Sequence, residues 1–170
     1  MKLLKYVLHL YRQSNAWFWT AYIKKRCGSY TGLIRVNYKS QIGGNVHLGN
    51  NVHFNGMTIS PGGKVTIGDN FHSGTECLII TQNHNYEGTA LPYDHTFICK
   101  DVVIEDNVWL GSRVIILGGV TIGEGAIIQA GAVVVSNIPP CSIAGGSPAK
   151  VFRYRDKDHY DRLKAAKQFS

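Results

Sequence analysis

The sequence predicts a left-handed parallel β-helix, on the strength of two spacings and one residue preference. Between residues 98 and 138 an aliphatic residue returns at every sixth position: Ile98, Ile104, Leu110, Ile116, Ile122, Ile128 and Val134. Four residues after each stands a second small or β-branched residue: Val102, Val108, Val114, Val120, Ala126, Ala132 and Ile138. Residues two apart in a strand share a face, so each of these second residues points inward together with the next member of the first set. The corners between such pairs hold Asp106, Asn107, Gly111, Gly118, Gly119, Gly123 and Gly125, types that accept the left-handed backbone of a tight corner. Three sides close a coil of about 18 residues, and coils stack about 4.8 Å apart through parallel backbone hydrogen bonds. An amphipathic helix would need apolar residues three and four apart, and these glycines would break it.

The repeat begins near Val36 and is clear at Ile42, Leu48 and Phe54, with Val46 and Val52 in the companion slots. Around Ser60, Pro61, Gly62 and Gly63 the register gains one residue and then resumes at Ile67, Ser73 and Ile79. The chain then leaves the solenoid as an excursion over residues 85–97 and re-enters at Ile98. Long excursions from repeats usually serve a binding face. Three regions result: a basic, aromatic, helical cap over 1–35, the β-helix over 36–153, and a helical tail over 154–170.

The cap reads as a helix from residue 2 to about 26. Leu3, Leu4, Val7, Leu8, Leu10 and Tyr11 form a broad apolar side, followed by Trp17, Phe18, Trp19, Tyr22 and Ile23. Its polar side is basic. Such a segment can cover the open first coil, whose exposed strand edges invite aggregation, or lie against an anionic membrane through residues 1–26. The two roles can coexist. The apolar stretch from Met1 to Leu10 is too short, and too interrupted by Lys2, Lys5 and His9, to span a bilayer. After Pro139 and Pro140 the pattern ends, and a charged stretch from Asp156 to Lys167 reads as a short closing helix.

With 170 residues, 44% of them hydrophobic, the chain suits one domain with a continuous inner column. Its net charge of +7 is one-sided: residues 1–68 hold nine Lys or Arg and no acid, the first being Asp69. That imbalance points to a phosphate-bearing or otherwise anionic partner, or to a basic face that only keeps the chain soluble. No nucleic-acid motif is present, and no nucleic-acid partner is expected. Cys27, Cys77, Cys99 and Cys141 show no CxxC spacing, and no secretory leader is read before them, so a cytoplasmic location is expected, with a peripheral place at the inner membrane face as the variant. Cys77 falls in an inward slot and reads as a small core residue.

Among seven histidines, His47, His53, His72 and His84 all stand just before an inward position and so face outward. His53 and His72 fall one coil apart on one side, where they can stack; metal binding is the sharper alternative. His84 differs, because it stands where the chain leaves the prism. An imidazole there can take a proton from a substrate hydroxyl near neutral pH.

Several runs resemble one family. They are Asn107-Val-Trp-Leu-Gly-Ser112, Gly119-Val-Thr-Ile-Gly123, Ile127-Ile-Gln-Ala-Gly131, Asn137-Ile-Pro-Pro140 and Gly146-Ser-Pro-Ala-Lys-Val-Phe-Arg153. Together they are similar to the hexapeptide-repeat acyltransferases, and within them to the galactoside, maltose and polysaccharide O-acetyltransferase branch. The resemblance covers roughly residues 36–153 and implies a homotrimer with active sites between subunits and acetyl-CoA as cosubstrate. It implies that His84 is the general base and that the backbone N–H of Ser112 faces the thioester carbonyl. Ala130 would line the pantetheine groove, with Val135 and Ser136 at its outer end, where the family often carries Thr-Lys. Lys150 and Arg153 would meet the CoA phosphates. The acceptor implied is a sugar or glycan hydroxyl, on a polysaccharide or lipid-linked intermediate; the basic aromatic segment stands where maltose-type enzymes carry their N-terminal extension. No metal is expected. Two other readings share the solenoid: a γ-class carbonic anhydrase-like metalloprotein, which needs three convergent histidines and has none in Val108–Ser112, and a non-catalytic basic scaffold.

Overall fold

The computed structural model describes residues 2–170 apart from the side chain of Leu3, so the placing of Leu3 on the apolar side of its helix lies outside the described residues. The chain folds as a left-handed parallel β-helix of about six turns, with a helix at either end. Its three flat sides are named A, B and C. Side A stacks Ser29–Tyr30, Val46–Leu48, Val65–Ile67, Val102–Ile104 and Thr121–Ile122 in parallel. Side B stacks Ile34–Val36, Val52–Phe54, His72–Ser73, Trp109–Leu110, Ile127–Ile128 and Ser142–Gly145, and ends with the antiparallel strand Lys150–Tyr154. Side C stacks Met57–Ile59, Cys77–Ile80, Ile115–Leu117 and Val133–Val134.

The six-residue period becomes columns of stacked side chains. Leu48, Ile67, Ile104 and Ile122 are in register down side A. Ile59, Ile79, Ile116 and Val134 do the same on side C. All are buried, so each coil hides apolar surface only because a neighbour lies above and below it. Side B carries two buried polar members, Ser142 and Ser73, the latter's hydroxyl accepting from the Asn55 N–H at 3.3 Å. Cys77 is buried in the column as its slot predicts, and burial raises its thiol pKa.

Two departures from the simple repeat matter. The single extra residue predicted near Ser60 is a net value. Buried Phe54 is followed after three residues by buried Met57, a short corner, whereas the next corner runs from Ile59 to Val65 and is long. The second departure is at Ile98, which the period places inside. It is only half-buried, and it pairs with Asn83 in an antiparallel ribbon of Gln82–His84 and Phe97–Cys99. The excursion is therefore wider than residues 85–97, and the solenoid resumes at Val102. A period cannot distinguish an inward residue from one that shares its phase by coincidence on a projecting hairpin.

The two departures are one device. Thr81, buried at the root of the ribbon, donates from its N–H to Ser60 Oγ at 2.8 Å and accepts from the Gly63 N–H at 3.2 Å. The long corner is thus the seat of the ribbon. Gly62 lies beneath it with φ of +121°, where an added Cβ would come within 2.8 Å of the Gln82 side chain and 3.0 Å of the Cys99 sulfur. Only glycine combines that conformation with that approach.

The first helix, α1, spans Lys2–Arg26. Its second half closes the open end of the solenoid: Ile23 joins the core, Trp19 and Tyr22 pack on it, and Thr20 Oγ1 accepts from the Val36 N–H at 2.9 Å. The last helix, α2, spans Lys157–Ala165 and starts at Asp156, whose carboxylate accepts from the His159 N–H at 2.9 Å. Tyr160 fastens it to the solenoid, donating to Glu124 at 2.7 Å and accepting from Asn107 at 2.9 Å.

Candidate active site

His84 ends the outgoing strand of the ribbon, directly opposite Phe97. The ring is exposed and stacks face to face on Tyr93, with centroids 3.8 Å apart and planes 13° apart, while Phe97 lies at 4.8 Å. Aromatic packing, rather than a carboxylate, sets the plane of the imidazole. Asp94 shapes the loop behind it, accepting from the Thr89 N–H at 3.1 Å and the Thr96 N–H at 2.8 Å; the Thr96 bonds hold its carboxyl below the usual carboxylate range. Sequence reasoning picked out the loop but not the role of Tyr93. Three aromatics within a polar excursion, Tyr86, Tyr93 and Phe97, were the available signal.

Ser112 and Ala130 occupy the corner between sides B and C on consecutive coils, where the Gly131 N–H donates to the Ser112 carbonyl at 2.9 Å. Neither the Ser112 N–H nor the Ala130 N–H has an acceptor among the described residues. The Ser112 hydroxyl is occupied, accepting from the Thr75 N–H at 3.1 Å. Glycines keep this corner close-packed. A Cβ on Gly74 would run into the Ser112 nitrogen, and one on Gly111 would lie 2.5 Å from the Ala130 nitrogen. Lys150, paired with Gly145, sits exposed further along the same corner, while Arg153, opposite Ile143, is exposed toward the middle of side B.

Val135 and Ser136 lie at the other end of side C. They follow Val133–Val134 at the corner from which the His84 ribbon springs two coils earlier. The structure therefore brings Ser112, Ala130 and Lys150 together, and places Val135 and Ser136 at the corner that carries His84. It does not bring His84 to Ser112. A strand of side C and two corners separate them, roughly 15–20 Å at about 3.3 Å per residue. That is far outside hydrogen-bond reach of a common substrate atom.

The outward face between these two ends is apolar, built from Leu78, Ile80, Ile115, Leu117 and Val133. A cavity of about 450 Å³ lies elsewhere, between side B at His72, Trp109 and Ile127 and the tail at Leu163 and Phe169; none of the residues implied by the resemblance lines it. His53 and His72 stack on side B as their spacing predicts, with centroids 4.3 Å apart and planes 21° apart. Burial, then the charges of His72 and Arg35, lower the His53 pKa. Stacked rings do not converge on a shared ion, and among the described residues no three His, Cys, Asp or Glu side chains are grouped to hold a metal.

Residues 101–136 match the family model described as bacterial transferase hexapeptide (six repeats). The galactoside O-acetyltransferase of Escherichia coli K12 is 38% identical over 128 residues, covering 69% of this chain and 60% of that protein. A maltose O-acetyltransferase structure from Clostridium difficile 630 superposes with a TM-score of 0.64 at 30% identity, covering 79% of this chain and 73% of that one. The chain belongs to the hexapeptide-repeat acyltransferases. Within that family it falls in the galactoside and maltose O-acetyltransferase branch. A hexapeptide-repeat acetyltransferase of Vibrio cholerae O1 biovar eltor complexed with acetyl coenzyme A has a TM-score of 0.63 at 28% identity, over 79% of this chain and 74% of that one. The chain spans about three fifths of the length of the curated relatives it matches. The Pro-Ala-Lys turn and antiparallel strand after the last coil lie beyond the stretch that the family model matches, yet they carry Lys150 and Arg153.

Proposed function

We propose that this chain is an acetyl-CoA-dependent O-acetyltransferase acting on a sugar hydroxyl of a polysaccharide or lipid-linked glycan intermediate, as a cytoplasmic homotrimer. The observation that carries the proposal is the division of the site between the two ends of side C. One end supplies unpaired amides and Lys150; the other supplies His84 on a projecting ribbon. A three-fold closed assembly of identical chains sets the first end of one copy against the second end of its neighbour. The apolar outward face of side C between them offers the surface such a contact would bury. The relatives that are named as acetyltransferases, and the acetyl coenzyme A held by one of them, support the chemistry.

Each side chain then has a limited task. His84 Nε2 or Nδ1 takes the proton from the acceptor hydroxyl as its oxygen attacks the thioester carbonyl. The Ser112 N–H donates to the oxyanion that forms, a contribution of about 3 kcal/mol for one well-placed donor. When the carbon–sulfur bond breaks, the thiolate leaves and His84 returns its proton to sulfur. No covalent acyl-enzyme is needed, because the cosubstrate brings an activated acyl group and the protein orients it. In this proposal the Ala130 N–H, one coil from Ser112 and unpaired among the described residues, donates to an amide carbonyl of the pantetheine arm. Incubating the protein with acetyl-CoA and a panel of sugars, and following free thiol, tests the activity; no acceptor-dependent release from any sugar would count against it.

Light scattering at micromolar concentration is expected to give three times the subunit mass. A stable, active monomer would sink the divided-site reading. Replacing Lys150 and Arg153 together with Gln is expected to raise the KM for acetyl-CoA about tenfold while leaving kcat within a few-fold, because phosphate contacts remote from the thioester hold ground and transition states alike. Added salt should then affect the variant less than the parent. Equal KM values in the two would place the nucleotide end of CoA elsewhere.

A further inference from the structure

The amino-terminal helix α1 is divided along its length. From Asn15 to Ile23 it is a lid: the Asn15 side chain donates to the Asn37 carbonyl at 2.8 Å, and Ile23 is fully buried. From Lys2 to Ser14 every described side chain is exposed, and the stretch is about 18 Å long at 1.5 Å per residue. Covering the first coil therefore uses only half the helix. The other half carries a wide apolar face of Leu4, Val7, Leu8 and Tyr11, continued by Phe18, with Leu4 64% and Tyr11 66% exposed; Trp17, 74% exposed, stands to one side of that face, as Tyr6 and Leu10 do. At 100° per residue Lys5 and Arg12 flank this face, and Lys2 and His9 fall on the opposite side.

We infer that this overhanging half is a docking element for an anionic membrane surface. Its apolar face enters the headgroup region and its basic residues reach lipid phosphates from the flanks, which is the pattern of helices that lie in an interface. Trp17, at the junction of overhang and lid, is the residue type that settles at headgroup depth. Charge selects lipid over a second copy of the chain. The helix holds six basic residues and no acid, so overhangs packed together would set like charges against one another, whereas an anionic leaflet complements them. Among the described residues no helix is long and apolar enough to cross a membrane, which fits lying on the surface. Resting on the acetyltransferase reading for its consequence alone, docking would hold the site where a lipid-linked acceptor is presented.

Co-sedimentation of the full chain with vesicles of phosphatidylglycerol and phosphatidylcholine, against phosphatidylcholine alone, tests this. Binding to the anionic vesicles at low salt, at least tenfold stronger than to neutral ones and with a blue shift of tryptophan fluorescence, is expected. Changing Lys2, Lys5 and Arg12 to Gln should weaken it about 10²-fold, at about fivefold per charge. A separate variant, Val7→Ser with Tyr11→Ser and Phe18→Ser, keeps the charge and should also bind at least tenfold more weakly. The inference is overturned if the parent does not bind anionic vesicles, if the serine variant binds them equally well, or if that variant dissociates into smaller species by light scattering. Acetyl-CoA binding, measured by calorimetry without vesicles, reports separately: vesicle binding without it overturns the acetyltransferase reading and leaves docking standing, and the reverse overturns docking alone.

Discussion

Replacing His84 with Ala is expected to lower kcat by about 10² or more while leaving folding and acetyl-CoA binding close to those of the parent. The structure explains why folding should survive. The ring is exposed, its contacts are the rings of Tyr93 and Phe97 on the same excursion, and the ribbon is seated through Thr81 rather than through the imidazole. Acetyl-CoA binding should survive because the unpaired amides and Lys150 lie at the other end of side C. In the proposed mechanism what is lost is proton removal from the acceptor, and a sugar hydroxyl is a poor nucleophile near neutral pH. His53→Ala serves as the internal control, since that ring stacks on His72 on side B, away from both ends of side C. Turnover by His84→Ala equal to the parent would move the base elsewhere, with His95 in the same excursion the next residue to change.

Much of the solenoid was legible because it is periodic. The constraint that every coil meet a copy of itself one layer away repeats the same residue types at fixed intervals, and the columns through Ile104, Leu110 and Ile116 follow directly. The ribbon was legible only as an interruption. Nothing in a six-residue period encodes that Ile98 pairs with Asn83 across a hairpin, or that the extra residue near Ser60 exists to seat Thr81. The candidate site was legible as residue types and partly as placement. His84 announced itself by standing at the exit from the prism. The roles proposed for Ser112 and Ala130 rest on backbone N–H groups, which every residue but proline possesses, so no side-chain pattern could single them out; the resemblance did so, and among the described residues both amides are unpaired. The division of α1 was not legible either. Its apolar residues run the whole length, and only the position of the first coil decides that the lid ends near Asn15.

Replacing Leu110 with Ala is expected to cost about 2–5 kcal/mol of stability, the range for emptying a well-packed aliphatic site. Leu110 is fully buried, in register with Ser73 on one coil and Ile128 on the other. Stacked coils cannot close around the void without breaking the ladder that holds Trp109 to both neighbours, so little relaxation is available. Urea unfolding at one fixed protomer concentration is the appropriate measurement, because the apparent stability of an assembly depends on concentration. The midpoint should fall with little change in slope. Val103→Ala, on the outward face of side A and 38% exposed, should cost no more than about 1 kcal/mol and calibrates the comparison. The strand that carries Leu110 leads directly into Gly111 and Ser112, so at temperatures where the variant stays folded its kcat should fall by a smaller factor than that of His84→Ala. Equal midpoints for Leu110→Ala and Val103→Ala would mean that the inner column contributes far less than its burial implies, and would overturn the account of how these coils hold together.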